Sequence, residues 1–200
     1  MVYYVLITIA FLPLTIFFPT IVRGRKNLKK GKAIFSANHR SNMDPIMVYI
    51  KANRKIHFVA KKELFKNKFL AWLLNGLGCI KIDRQGTDIN ATKQVLKTLK
   101  DNKTVGIFPQ GTRSQSEDME IKSGVCMFAI KSKAPIVPIY IKRKPMFLVP
   151  NVIYVGEPFE LDKFYDQRLT KEVLDEATAI VEQKYDELKQ KYTKKKKEEK

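Results

Sequence analysis

The stretch Ala33-Ile34-Phe35-Ser36-Ala37-Asn38-His39-Arg40-Ser41-Asn42-Met43-Asp44-Pro45-Ile46 decides how the chain is read. Ala33 to Phe35 is a short apolar run of strand type, with no room for helical periodicity. Asp44 followed by Pro45 reads as a helix start. Asp is a favoured N-cap, and Pro at the first helical position forfeits no useful donor. His39 therefore falls in a strand-to-helix connection, with Asp44 close behind it. Such a loop can fold back so that the carboxylate accepts a hydrogen bond from one ring nitrogen. That bond fixes the tautomer and leaves the other nitrogen's lone pair as a general base. The same residues also read as a plain helix cap and a loop histidine. The stretches further along the chain decide between the two.

Upstream, residues 2–22 contain no charge and are long enough to cross a bilayer as a helix. No basic stretch precedes the run and no Ala-x-Ala-like site follows it, which argues against a cleaved signal peptide. Pro13 divides it into two arms of roughly 15 Å each, shorter than the hydrocarbon core. A kinked helix dipping into one leaflet thus competes with a full crossing. Arg23, Arg25, Lys29, Lys30 and Lys32 follow with no acidic residue among them. This is the flank expected on the cytoplasmic side of a cell membrane, and it can also hold anionic lipid.

Downstream, strand-like runs alternate with helical ones. Ile56–Ala60, Cys79–Asp83, Thr104–Phe108, Ile136–Ile141 and Val152–Val155 read as strands. Lys61–Phe65, Phe69–Leu74, Asp88–Lys100 and Val125–Ile130 read as helices, and an amphipathic helix is expected from Lys171 onward. The expectation is an α/β single domain, with a mostly parallel sheet flanked by helices and an N-terminal hydrophobic membrane segment. The segment covers 1–22, the domain 23–192, and residues 193–200 form a lysine-rich charged tail, expected to be disordered and solvated. Pro138 inside its strand suits an edge or first-strand position.

Two hundred residues suffice for one such domain. Lys and Arg number 38 against 20 Asp and Glu, a formal charge of +18. That surplus calls for an anionic partner: nucleic acid, lipid headgroups, a phosphorylated substrate or an acidic carrier protein. Cys79 and Cys126 sit in apolar surroundings without metal-ligand spacing or a neighbouring histidine, and read as buried free thiols.

In a parallel sheet the carboxyl ends of the strands share one rim, where ligands gather. His39, Arg84 and the loop Gln110-Gly111-Thr112-Arg113-Ser114 each follow a strand-like run, so they can meet at one site. Arg84 and Arg113 suit a phosphate through the guanidinium fork, or else serve as surface ion-pair partners. Thr112 and Ser114 can donate to the same anion or merely shape a turn. His57, inside an apolar strand pattern, reads as structural.

Asn38-His39-Arg40-Ser41-Asn42-Met43-Asp44-Pro45 resembles the His-x4-Asp block of the glycerolipid acyltransferases. Lys81-Ile82-Asp83-Arg84 is similar to their second block, Phe108 to Ser114 to their Phe-Pro-Glu-Gly-Thr-Arg-Ser block, and Val137-Pro138-Ile139-Tyr140 to their fourth. Lys61-Lys62-Glu63-Leu64 resembles a stretch between the first two. The likeness is greatest to the bacterial 1-acylglycerol-3-phosphate acyltransferases, which make phosphatidic acid. It implies that His39 deprotonates the glycerol hydroxyl of lysophosphatidic acid while Asp44 orients it. It also implies that Arg84, Arg113, Thr112 and Ser114, with Gln110 and Gly111 in the same loop, bind the phosphate-bearing acceptor. No metal or bound cofactor is implied. The donor would be acyl-CoA, acyl carrier protein thioester or an acyl phosphate, and the setting membrane phospholipid. Gln110 departs from the family pattern, which has glutamate there. Glutamine keeps the size and one acceptor oxygen but loses the charge.

Three other readings stand beside this one. They are an acyltransferase for another lysophospholipid, a lipid-binding homologue without catalysis, and a membrane-tethered nucleic-acid binder. Against the last, the basic residues are spread along the whole chain and no nucleic-acid-binding motif is present, so no nucleic-acid partner is expected.

Overall fold

The computed structural model describes residues 13–28, 30–52, 54–83, 88–110, 121 and 123–198, with side chains to 192. Among these described residues seven strands form one sheet. They are β1 (Thr20–Arg23), β2 (Ala33–Ala37), β3 (Ile56–Lys61), β4 (Ile80–Ile82), β5 (Thr104–Ile107), β6 (Ile136–Ile141) and β7 (Asn151–Val155). Their order is β1-β7-β6-β2-β5-β3-β4. β2 to β6 all run one way, β7 pairs antiparallel with β6, and β1 runs parallel to β7. Central β2 is buried along its whole length, as a strand covered on both faces must be.

The pleat sends alternate residues into two cores. Ile34, Val105 and Ile136 pack under three helices: α3 (Ile89–Lys100), α4 (Gly124–Ser132) and α5 (Lys171–Glu198). Ala33, Phe35, Val137 and Ile139 pack under Met47, Val48, Tyr49 and Ala52 of α1 (Asp44–Ala52) on the other face. α2 (Lys68–Leu77) joins β3 to β4 after a 3-10 turn at Lys62–Lys66. Asn67 caps α2 by accepting from Leu70 N at 3.0 Å, and Asp88 caps α3 by accepting from Ala91 N at 2.9 Å. Gly106 in β5 is imposed by close approach. A Cβ there would lie 2.3 Å from the Phe58 ring, which needs that space to stack on Phe108.

The expected α/β architecture with a mostly parallel sheet is observed. Three expectations are corrected. Thr20–Val22, assigned above to the hydrophobic segment, form β1 on the sheet edge, because β-branched residues after Pro19 find a partner in β7. No helix among the described residues is long and apolar enough to cross a membrane, and residues 1–12 of the uncharged run lie outside those residues. Pro138 lies in interior β6, not at an edge. Its missing donor faces the position where β7 ends, and its carbonyl accepts from Gly156 N at 2.8 Å. The charged C-terminal residues continue α5 to Glu198. Lys and Glu are strong helix formers, and basic residues complement a helix C-terminus.

Candidate active site

β2 delivers Ala37 to the carboxyl rim, and the next seven residues turn back into α1. The amide of Asn38 holds the start of this turn: its Nδ2 donates to Ile141 O at 3.0 Å and its Oδ1 accepts from Ile141 N at 2.6 Å. Arg40 Nε adds a bond to the same carbonyl at 3.3 Å. The side chain of Asn38 thereby carries the β2–β6 pairing past the point where the two backbones diverge.

Asp44 is fully buried, and Oδ2 gathers three donors. They are the backbone N–H groups of Arg40 and Ser41, each at 2.6 Å, and His39 Nδ1 at 3.1 Å. The carboxylate faces back into the loop. It does not cap the helix it begins, as the sequence suggested, because the loop amides and the imidazole converge on it first. Burying a charge this completely is tolerable only with such a set of donors. Oδ1 has no partner among the described residues. With Nδ1 carrying its proton toward Oδ2, the lone pair of His39 is at Nε2, the arrangement a general base requires.

The ring of His39 keeps 17% exposure and lies on Phe108, centroids 4.4 Å apart. Phe108 stacks on Phe58 at 5.5 Å, which in turn meets Tyr49 of α1 at 6.2 Å. The aromatic floor fixes the imidazole from below while Asp44 fixes it from the side. Gln110, just beyond β5, accepts from the backbone N–H of His39 through Oε1 at 3.0 Å. Its oxygen is thus engaged with the main chain of the base.

The structure brings His39, Asp44 and Gln110 together, while Arg84, Gly111, Thr112, Arg113 and Ser114 lie outside the described residues. Asn38 and Phe108 are the supports that the sequence did not single out. An amide at a strand end directly before the histidine was the available signal for Asn38. His57 is structural, its Nδ1 2.8 Å from Gly78 O in the turn that ends α2. Burial pushes the thiols of Cys79 and Cys126 up to about 12 and about 11, which keeps both protonated and inert.

The acyltransferase family model matches residues 20–142, from β1 to just past β6. The chain belongs to the acyltransferase family. The chain is 43% identical over 84 residues to the 1-acyl-sn-glycerol-3-phosphate acyltransferase of Bacillus subtilis, a match covering 42% of each chain. It is 29% identical over 138 residues to the enzyme of the same name from Borreliella burgdorferi, covering 67% of this chain and 55% of that one. It therefore spans about half the length of the curated relatives it matches. The crystal structure of the 1-acyl-sn-glycerophosphate acyltransferase of Thermotoga maritima superposes with a TM-score of 0.65 at 26% identity. That match covers 92% of this chain and 76% of the other.

Proposed function

We propose that this acyltransferase moves an acyl group from a thioester, on coenzyme A or acyl carrier protein, to the free hydroxyl of 1-acyl-sn-glycerol-3-phosphate. The product is phosphatidic acid, for phospholipid biosynthesis at the cytoplasmic face of the cell membrane. The observation that carries the reading is the His39–Asp44 pair, 3.1 Å apart, with the carboxylate buried and the ring held on Phe108. The names of the relatives supply the acceptor.

In the proposed reaction the glycerol oxygen attacks the thioester carbonyl as its proton passes to His39 Nε2. The tetrahedral intermediate then expels the thiolate, which takes the proton from the imidazolium. One C–O bond forms and one C–S bond breaks. A general base of this kind contributes about two to four orders of magnitude. Arg84 and Arg113, with Gly111, Thr112 and Ser114, are proposed to hold the phosphate. Gln110 is proposed to act through His39 as a positioning residue, a role that needs an acceptor oxygen but no charge. Residues 1–19, before β1, are proposed to anchor the chain, with 193–200 as its basic end.

The test is the purified chain with lysophosphatidic acid and a panel of acyl donors. Phosphatidic acid should form with at least one donor, and His39→Ala should remove that activity. Equal product from His39→Ala and the natural chain would refute the assignment of the base.

A further inference from the structure

We infer that Tyr185 of α5 is a positioning residue for His39: its hydroxyl sets the end of β2 from which the His39 loop departs. This role rests on His39 being the base proposed above, and not on which donor or acceptor it serves. α5 lies wholly beyond residues 20–142, the part of the chain that the family model matches. Its buried stripe, Ala177, Val181, Tyr185 and Leu188, recurs at helical spacing. Of these, Tyr185 alone brings a hydroxyl into the interior. It is 2% exposed, and a phenol so buried takes a partner.

The partners are main-chain groups of two strands. The hydroxyl donates to the carbonyl of Ser36 in β2, and the backbone N–H of Ile139 in β6 donates to the same phenol oxygen. The register pairs Ser36 with Pro138 and Ala37 with Ile139, so the two groups face each other across one step of the ladder. Beyond that step the strands part. Asn38 N reaches Ile139 O only at 3.4 Å, and the Asn38 side chain then carries the pairing to Ile141. Tyr185 therefore holds the last full step of the β2–β6 ladder before the His39 loop. Burial pushes its ionisation well above the ordinary range for a tyrosine, so the donor keeps its proton at neutral pH.

Ser36 makes the approach possible. The pleat puts it on the side of Ile34, which shares a core with Tyr185, and its small side chain leaves the main chain open to the phenol. Its own hydroxyl is buried without a partner among the described residues. α5 is fixed on both sides of Tyr185. Glu182 Oε1 accepts from Ile121 N at 3.3 Å, and Tyr192 stacks on Tyr154 of β7 with centroids 4.1 Å apart. With the Tyr185 hydroxyl gone, Ser36 O and Ile139 N can close on each other as an ordinary ladder bond, so the fold survives. Ala37 and Asn38 then leave the sheet from a shifted position. The ring of His39 moves against Asp44, which stands on α1 and does not follow.

The test compares Tyr185→Phe with Ala177→Gly in the full chain. The second change weakens the same helix about 12 Å away along its axis. Tyr185→Phe should lower kcat about tenfold or more, the scale of a displacement of the base by under about 1 Å, with KM for lysophosphatidic acid within about twofold. Ala177→Gly should melt at least as low as Tyr185→Phe and keep kcat within about twofold of the natural chain. The Nδ1–H proton of His39, observed by NMR and assigned by its loss in His39→Ala, gives a readout that needs no turnover. Its resonance should move in Tyr185→Phe and stay in place in Ala177→Gly, while that of His57, held on Gly78 O, stays in both. Where Tyr185→Phe yields no folded protein, Ser36→Val, which blocks the phenol from the strand side, is read in the same way. A kcat loss in Tyr185→Phe no larger than in Ala177→Gly, or an unmoved His39 resonance, would overturn the positioning role. A natural chain that makes no phosphatidic acid from any donor, with the His39 resonance still moved by Tyr185→Phe, would overturn the proposed reaction and leave the link from Tyr185 to His39 standing.

Discussion

The imidazole of His39 owes its tautomer to a carboxylate with no exposure, and the two backbone amides on the same oxygen make that carboxylate a fixed object. Asp44→Asn must present its carbonyl oxygen to all three donors, and a neutral acceptor bonds them roughly half as strongly. It should lower kcat about a hundredfold or more while KM moves little, since the loss falls on the protonated ring of the transition state. Steady-state kinetics on both variables checks this, and an unchanged kcat would remove Asp44 from the mechanism. Gln110 offers a finer test. Its Oε1 already serves the N–H of His39, so Gln110→Glu should change the rate by at most about tenfold, equivalent to about 1.4 kcal/mol. Gln110→Ala leaves that N–H without its acceptor and should cost more than Gln110→Glu does. A wild-type baseline as low as that of His39→Ala, restored by Gln110→Glu, would instead make the missing charge decisive. His57 supplies a pH dependence of stability. Burial, helped by the charges of Lys55 and Lys103 against the pull of Gly78 O, holds it below its ordinary 6.5. The unfolded chain therefore binds the proton more readily, so this contribution is present above pH 6.5 and is lost as pH falls toward the folded value. His57→Gln should flatten the unfolding curve against pH in that window.

Asn38 joins two elements that are 103 residues apart in sequence, which explains both its weight and its silence in the sequence. Asn38→Ala leaves the buried N–H of Ile141 without a partner and its C=O with only Arg40, a cost of about 1–3 kcal/mol. In a chain of this size that corresponds to a melting temperature lower by roughly 2–12 °C. Calorimetry beside the activity assay should show both properties falling together, because β6 then no longer clamps the base of the His39 loop. A normal melting curve would mean that solvent replaces the amide. The same contrast separates what could be read from the residues and what could not. The turn from His39 to Asp44 was legible because cap chemistry and strand length are local, and the alternation of β3, α2, β4, α3 and β5 was legible for the same reason. The interior place of Pro138 was not, since it depends on β7 ending opposite it and on Gly156, where a Cβ would come within 2.6 Å of the proline ring. The fold-back of the Asp44 carboxylate onto the His39 ring was legible, but the Arg40 and Ser41 amides that share its Oδ2 were hidden, because they become its neighbours only once the turn has closed.

At the scale of the molecule, β1 is where local pattern and tertiary structure part. An uncharged run reads as a membrane helix by composition, and nothing in residues 20–22 announces that a partner strand lies some 130 positions downstream, as the Thr20–Asn151 register shows. β1 covers the outer edge of β7, and Phe18 and Val22 pack against the core that holds Ile153 and Val155. Two truncations measure this contribution. Removing residues 1–12 keeps β1, whereas removing 1–22 takes three of its four residues and opens an unpaired edge, a known route to association. The larger deletion should melt about 5–10 °C below the smaller one, for the loss of a few backbone bonds and two apolar side chains from a domain of this size. It should also aggregate more readily, and light scattering during the same thermal ramp would record that. If instead the two deletions melted together, β1 would contribute nothing to the domain. Residues 20–22 would then belong with the hydrophobic run that precedes them, and the boundary expected from composition alone would be restored.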